Sequence, residues 1–453
     1  MAMAVVLAAL PVAVQAQDDA HARALAAGYK SAFLCSGLFN AGQTPEQIAS
    51  DDLEGIYVQY QALVRSLPAT IDRERRMVSV TYDPKLPPRI AAWRPGLGCT
   101  QLPIGARADA AALLPQLIAR KPVGDPDALS WPDGDAAPRV APPKAVAEAV
   151  ARAFDGQSYG ANTRTTAVLV IRDGKIIAER YRAGYDLHTP QRTWSVAKSI
   201  TATLIGRAAQ LDLLKVDAPA RVPEWQAPGD PRAAITLAQL MHMNSGLWTN
   251  GPGNRTDEVY LGGGLVTQQA TAMALEAEPG TRFRYANDDP LLAARSLRAA
   301  LGDGQRAIDF PYAELFWRIG MNHTTAETDW QGNYILSSQV WSTARDLGRL
   351  GLLYLNDGMW HGQRLLPADW SRFVATPGPA QPARGGGYGA FFWLYGPTQG
   401  LPAGTYVMDG NRGQYVIIVP ARNTIIVRRG FDQDDSDSFA LAKFARDVLA
   451  GIE

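Results

Sequence analysis

Residues 165–181 run Thr-Thr-Ala-Val-Leu-Val-Ile-Arg-Asp-Gly-Lys-Ile-Ile-Ala-Glu-Arg-Tyr. Two β-rich runs flank Asp173-Gly174, a dipeptide that tolerates the positive φ of a tight hairpin turn, so the stretch predicts an antiparallel pair. An amphipathic helix at 146–154 precedes it, and helical patterns follow at 195–211, 236–243, 266–276, 288–301, 308–319, 342–356 and 367–374. Strand patterns return at 388–394, 404–409, 414–420 and 424–430, and a last helix covers 436–451. Strands at both ends of a segment with helices between them imply an α+β fold of the α/β sandwich kind. One antiparallel sheet is assembled from distant parts, flanked by helices, with an all-helical subdomain inserted. A ligand is expected in the cleft between sheet and insertion.

Upstream, residues 17–120 predict a small α+β module, with helices at 20–34 and 44–67 and extended arms at 77–82 and 89–93. Residues 121–142, rich in proline and aspartate, predict a linker, which leaves 143–453 as the main domain. Residues 1–16 are apolar and end Val14-Gln15-Ala16, the small-residue pattern of a signal peptide cleaved after Ala16, although the positive n-region is missing. A short buried or anchoring helix is the alternative. No segment reaches the ~20 apolar residues that a membrane span needs. Export implies a periplasmic or secreted protein, where Cys35 and Cys99 have one possible pairing. That bridge would stabilise by roughly 4 kcal/mol in the chain-entropy model; the alternative is two buried thiols.

The chain has 44 Lys+Arg against 44 Asp+Glu, a net charge of zero that argues against a nucleic-acid partner. Only eight of the cations are lysines, so the basic surface is expected to be mostly guanidinium. The five histidines (21, 188, 242, 323, 361) never fall three to five apart and there is no CxxC, so no metal site is expected.

Gly156-Gln157-Ser158-Tyr159-Gly160 matches the G-x-S-x-G elbow, but that elbow needs a strand before it and a helix after it, and here the order is reversed. Ser158 is expected to sit in a loop. The stronger candidate is Thr193-Trp194-Ser195-Val196-Ala197-Lys198, which opens a helix and places Ser195 and Lys198 on one face, three residues apart. A serine hydroxyl attacks a carbonyl only when a neighbouring base removes its proton, and a lysine serves when burial lowers its pKa. Further along, Tyr285-Ala286-Asn287 lies on a loop before a helix that starts near Asp289-Pro290. Such a tyrosine can relay the serine proton, and the asparagine amide can bond both lysine and substrate. The plainer alternatives are a surface lysine on an ordinary helix and a packed tyrosine beside a capping residue.

The two motifs together resemble the penicillin-recognising serine hydrolases: Ser195-Val-Ala-Lys198 is similar to their S-x-x-K, and Tyr285-Ala-Asn287 to the Y-x-N of class C β-lactamases and related esterases. The segment 235–247, ending Ser245-Gly246-Leu247, and Gly410-Asn411-Arg412-Gly413 before the closing strands add to the resemblance, which spans about residues 143–452 and is nearest to the branch of 6-aminohexanoate-dimer hydrolases and family VIII carboxylesterases. It implies a β-lactamase/transpeptidase-like fold and an acyl-enzyme on Ser195, with Lys198 and Tyr285 as proton acceptor and relay. The choice of base between them stays open. It also implies that Asn287 positions substrate, that the oxyanion hole uses the N–H groups of Ser195 and Asn411, and that no cofactor is needed.

The chain departs from the family where K-T-G should stand: Gly404-Thr-Tyr-Val-Met-Asp409 leads instead into Gly410-Asn411-Arg412. The lysine that anchors a β-lactam carboxylate is missing, with Arg412 as a candidate replacement. Trp248 and Tyr260, around the Gly-rich stretch 249–264, are candidates to line the pocket. The expectation is an exported esterase or amidase acting on a small ester, amide or peptide-like substrate. A β-lactamase or DD-peptidase and an inactive cell-wall-fragment binding protein are the rivals.

Overall fold

A computed structural model describes residues 20–138, 140–249, 256–433 and 436–452; the expected signal segment 1–16 lies outside them. Around the Asp173-Gly174 turn, strands Thr165–Arg172 and Lys175–Tyr181 pair antiparallel. The first of them pairs on its other side with Thr424–Gly430, Ile171 opposite Ile425 and Leu169 opposite Val427. Gln414–Val419, Thr405–Gly410, Trp393–Tyr395 and Gly387–Tyr388 then complete a seven-stranded sheet. The first and last long strands of the segment 165–430 thus lie side by side, and the chain between them supplies most of the helices together with a three-stranded sheet of Gln191–Arg192, Val340–Ser342 and Thr325–Ala326.

The period-two pattern of these strands feeds two cores. Val168, Val170, Ile417 and Ile426 pack beneath the helices Lys144–Arg152 and Leu441–Ala450. Leu169, Ile171, Val416, Ile418 and Val427 face the helices Val196–Gln210 and Ala344–Leu355. Because both faces are covered, the central strands are almost continuously apolar.

The N-terminal helix Ala20–Phe39 lies on a four-stranded meander of Ala69–Asp72, Met77–Val80, Arg89–Arg94 and Gly98–Gln101. Sequence patterning marks only the two middle strands; the outer two are four residues each and carry little alternation. A Cys35–Cys99 disulfide ties the helix to the last strand. The other side of the helix belongs to the same buried cluster as Trp194, Tyr260 and Leu261. Polar bonds reinforce the contact. Glu327 Oε1 accepts from Ser36 Oγ at 2.6 Å, Asn40 Nδ2 at 2.9 Å and the Cys99 N–H at 3.0 Å. Asp51 accepts from Arg164 at 2.7 Å and Arg182 at 2.6 Å.

The segment 121–142 is held along part of its length. Arg349 Nε donates to Pro132 O at 2.7 Å, its Nη2 to Asp135 Oδ1 at 2.7 Å, and Trp131 Nε1 to Gly174 O at 2.9 Å. Replacing both cysteines by serine is expected to lower the unfolding free energy by roughly 4 kcal/mol. A urea titration checks this: the unfolding midpoint of C35S/C99S falls well below that of the oxidised wild type, and coincident midpoints would contradict it.

Candidate active site

The chain turns into the helix Val196–Gln210 through Trp194, which holds a left-handed φ of 50°. Such a conformation is costly for a bulky residue and persists only where its surroundings impose it. They do so here: the Arg192 guanidinium lies 4.0 Å from the Trp194 ring centroid and 4.6 Å from that of Phe33, on the N-terminal helix. Arg192 Nη2 also donates to Ser338 Oγ at 2.8 Å. Ser195 is thereby fixed at the first turn, where the helix dipole favours negative charge.

Lys198 follows one turn later and is 1% exposed. Its Nζ donates to Ser195 Oγ at 2.9 Å, Asn287 Oδ1 at 2.7 Å and Ser337 O at 3.0 Å. Burial pushes its pKa down to about 7, against an opposing pull from Asp288. A lysine so placed is substantially neutral near pH 7 and has a lone pair available beside the serine hydroxyl.

Tyr285 stands over this pair, with Lys198 Nζ 5.0 Å from its ring centroid. Burial raises its phenol pKa, partly offset by a hydrogen bond with Ser195. The phenol therefore stays protonated and is suited to donate rather than to abstract. Its ring stacks on Trp393 at 5.8 Å and meets Tyr388 edge-on at 6.0 Å. These two aromatic residues were not marked by any sequence motif.

The Tyr285–Asn287 loop is carried by the segment 235–247. Arg284 N donates to Met243 O at 2.9 Å, and Ser245 Oγ to Asp289 Oδ1 at 2.8 Å. Gly246, at φ 76°, sits where a Cβ would lie 2.2 Å from Ala277 O, so the loop closes only over glycine. On the facing strand, Gly410 plays a similar part: a Cβ there would be 2.3 Å from Thr193 O and 3.1 Å from Val196 N. This close approach brings the end of the strand, and Asn411 after it, to the turn that carries Ser195.

Other expected residues lie elsewhere. Arg412 does not offer its guanidinium to a ligand. It is buried, donates from Nε to Asp432 O at 2.9 Å and from Nη1 to Asp51 O, and so bolts the sheet to the N-terminal module. Tyr260 is also buried. Its hydroxyl bonds Ser337 Oγ, behind the carbonyl that accepts from Lys198, so it supports the lysine pocket from the rear. Trp248 is 38% exposed and precedes 250–255, which lie outside the described residues. Ser158 is spent in a turn, its N–H and hydroxyl both bonded to Asp155.

Asp409 was missed in the sequence because no family motif places a carboxylate there. It precedes Gly410, is partly exposed, and has no cation paired with it among the described residues. Burial raises its pKa to about 7, and its charge bears on Tyr285.

The family profile described as Beta-lactamase matches residues 150–429, well over half of the chain. The chain belongs to the beta-lactamase family. A 6-aminohexanoate-dimer hydrolase of Paenarthrobacter ureafaciens is 24% identical over 291 residues, 59% of this beta-lactamase-family chain and 72% of the relative. Among solved structures, a family VIII carboxylesterase superposes with a TM-score of 0.53 at 16% identity, covering 70% of this chain and 98% of that one. A class C beta-lactamase gives 0.52 at 17%, covering 68% and 96%. At such identities the superpositions establish the fold, and the beta-lactamase-family match makes the chain a serine hydrolase relative. No helix among the described residues is long and apolar enough to cross a membrane.

With Lys198 as base, kcat/KM for an activated ester is expected to rise tenfold per pH unit on the acid side and to level off above about pH 7, as the ammonium of this group loses its proton. A pH–rate profile checks this. Lys198→Arg, which cannot deprotonate in this range, is expected to lose activity by about 10²–10⁴-fold at every pH; a profile flat from pH 5 to 9 would contradict the assignment.

Proposed function

We propose that this protein is an exported hydrolase of small esters or amides that works through an acyl-enzyme on Ser195. The observation that carries the reading is the contact of a buried, low-pKa Lys198 with Ser195 Oγ at 2.9 Å, capped by a protonated Tyr285. Lys198 takes the hydroxyl proton as Oγ attacks the substrate carbonyl. The resulting oxyanion is received by the N–H groups of Ser195 and Asn411, a pair of donors of which each contributes about 3–4 kcal/mol in comparable sites. The carbonyl–leaving-group bond then breaks as Tyr285 protonates the departing oxygen or nitrogen, and the phenol regains a proton from Lys198. Water repeats the sequence in reverse to release the acid and free Ser195. Asn287 fixes the lysine and offers its amide nitrogen to the substrate. The Cys35–Cys99 bridge is consistent with an oxidising compartment.

Ester or amide substrates are favoured over β-lactams by the strand at 405–410. That strand carries no lysine: Met408 is buried and is followed by the partly exposed carboxyl of Asp409. The guanidinium of Arg412, the one candidate replacement, is committed to Asp51 and Asp432. A substrate carboxylate would meet negative charge, increasingly so as pH rises through about 7.

A panel of nitrophenyl esters, anilides and nitrocefin tests this. Ester or anilide turnover is expected in wild type and lost in Ser195→Ala, with nitrocefin at least 100-fold slower. Asp409→Asn is expected to improve nitrocefin relative to a neutral ester, and more at pH 8 than at pH 6. Efficient nitrocefin turnover by wild type would overturn the preference, and ester turnover retained in Ser195→Ala would overturn the mechanism.

A further inference from the structure

Four side chains from three parts of the chain converge, and none of them bonds Ser195, Lys198 or Tyr285. Asp127 and Asp135 come from the segment 121–142, His188 from the turn after the strand Lys175–Tyr181, and His323 from the stretch before the strand Thr325–Ala326. His188 Nε2 lies 3.3 Å from Asp127 Oδ2 and 3.5 Å from Asp135 Oδ2. His323 Nε2 lies 3.0 Å from Asp127 Oδ1 and 3.6 Å from Asp135 Oδ2. One ligand atom from each of the four is within 4.8 Å of all the others.

Ordinary His–Asp hydrogen bonds account poorly for this arrangement. Each imidazole aims one nitrogen at two carboxylates, and an Nε2–H can serve only one of them well. A single ion at the centre serves all four. Zinc bonds imidazole nitrogen and carboxylate oxygen at about 2.0–2.2 Å, so the edges of its tetrahedron are about 3.3–3.6 Å. The three N···O separations to Asp127 Oδ2 and Asp135 Oδ2 fall in that interval, while His323 makes its 3.0 Å contact to the other oxygen of Asp127.

The surroundings also resemble the outer layer of a metal site. Asp135 is nearly buried; its Oδ1 is taken by Arg349 Nη2 at 2.7 Å, which leaves Oδ2 turned to the histidines. Arg349 Nη1 in turn donates to Asp346 Oδ1 at 2.9 Å, and Asp346 Oδ2 accepts the His323 backbone N–H at 2.9 Å. One buried arginine–aspartate pair thus orients two of the four ligands. Two imidazoles and two carboxylates match the charge and softness of zinc, whereas calcium takes six to eight oxygens.

We propose that Asp127, Asp135, His188 and His323 form a binding site for a zinc-type divalent cation, which fastens the segment 121–142 to the catalytic domain. Local spacing could not reveal it, because no two of the four ligands fall within one short motif, and the expectation of no metal rested on that spacing alone. Binding replaces any proton on either Nε2 and leaves the site formally neutral.

The full-length protein, stripped with a chelator and dialysed, is titrated with zinc chloride in a calorimeter. One equivalent is expected to bind and to raise the thermal midpoint, and cobalt(II) is expected to give the intense visible bands of tetrahedral coordination. His188→Ala, whose side chain is 43% exposed, and Asp127→Asn should fold normally by circular dichroism and lose at least tenfold in zinc affinity. Ser195→Ala should bind zinc as wild type does, which separates this site from the hydrolase chemistry. Zinc affinity unchanged in both ligand variants, no stoichiometric uptake, or calcium bound as tightly as zinc would each overturn the proposal.

Discussion

The exclusion of water from Lys198 is the constraint on which the rest of this molecule depends. An ammonium in that position is offered three neutral oxygens, from Ser195, Asn287 and Ser337, in place of a hydration shell. The substitution favours the neutral amine enough to bring its pKa to about 7. Each of the three acceptors belongs to a different part of the fold: the start of the helix Val196–Gln210, the loop before the helix Asp288–Ala300, and the approach to the strand Val340–Ser342. The low pKa of this proposed base is therefore made by tertiary packing, and anything that admits water between these parts would return it to an ordinary lysine.

The N-terminal module takes part in that packing. Phe33 backs the Arg192–Trp194 stack that holds the turn before Ser195, and Gln101 Nε2 donates at 2.5 Å to the carbonyl of Tyr260, whose hydroxyl bonds Ser337 Oγ. Arg412, Arg164 and Arg182 all converge on Asp51 from the catalytic side. A further arginine, Arg429, is buried beneath the turn, donating to Gln414 Oε1 at 2.7 Å and Gln191 O at 2.8 Å. The abundance of arginine is thus partly internal. Several guanidiniums act as multi-pronged staples among backbone carbonyls, a task that lysine, with its single nitrogen, performs less well.

Much of the beta-lactamase-family half is legible in the sequence. The Asp-Gly hairpin, the closing strands and the serine–lysine helix all announce themselves through local periodicity or an i, i+3 spacing, and each lies where expected. The three-stranded sheet of Gln191–Arg192, Val340–Ser342 and Thr325–Ala326 was not foreseen, because two of its strands are two residues long and its pairing is wholly non-local. Arg412 was assigned to substrate because charge type is visible in a sequence whereas its partner is not; Asp51 is more than three hundred positions away. Asp409, Tyr388 and Trp393 were missed for the same reason: nothing in their neighbourhood in the chain points to Tyr285.

The most direct test of the central claim is covalent labelling of the native protein with a fluorophosphonate, followed by intact-mass measurement and peptide mapping. One phosphonyl group is expected on the peptide containing Ser195 in wild type, with labelling abolished in Ser195→Ala and slowed by orders of magnitude in Lys198→Ala. A modification on another residue, or equal labelling of all three proteins, would contradict the account.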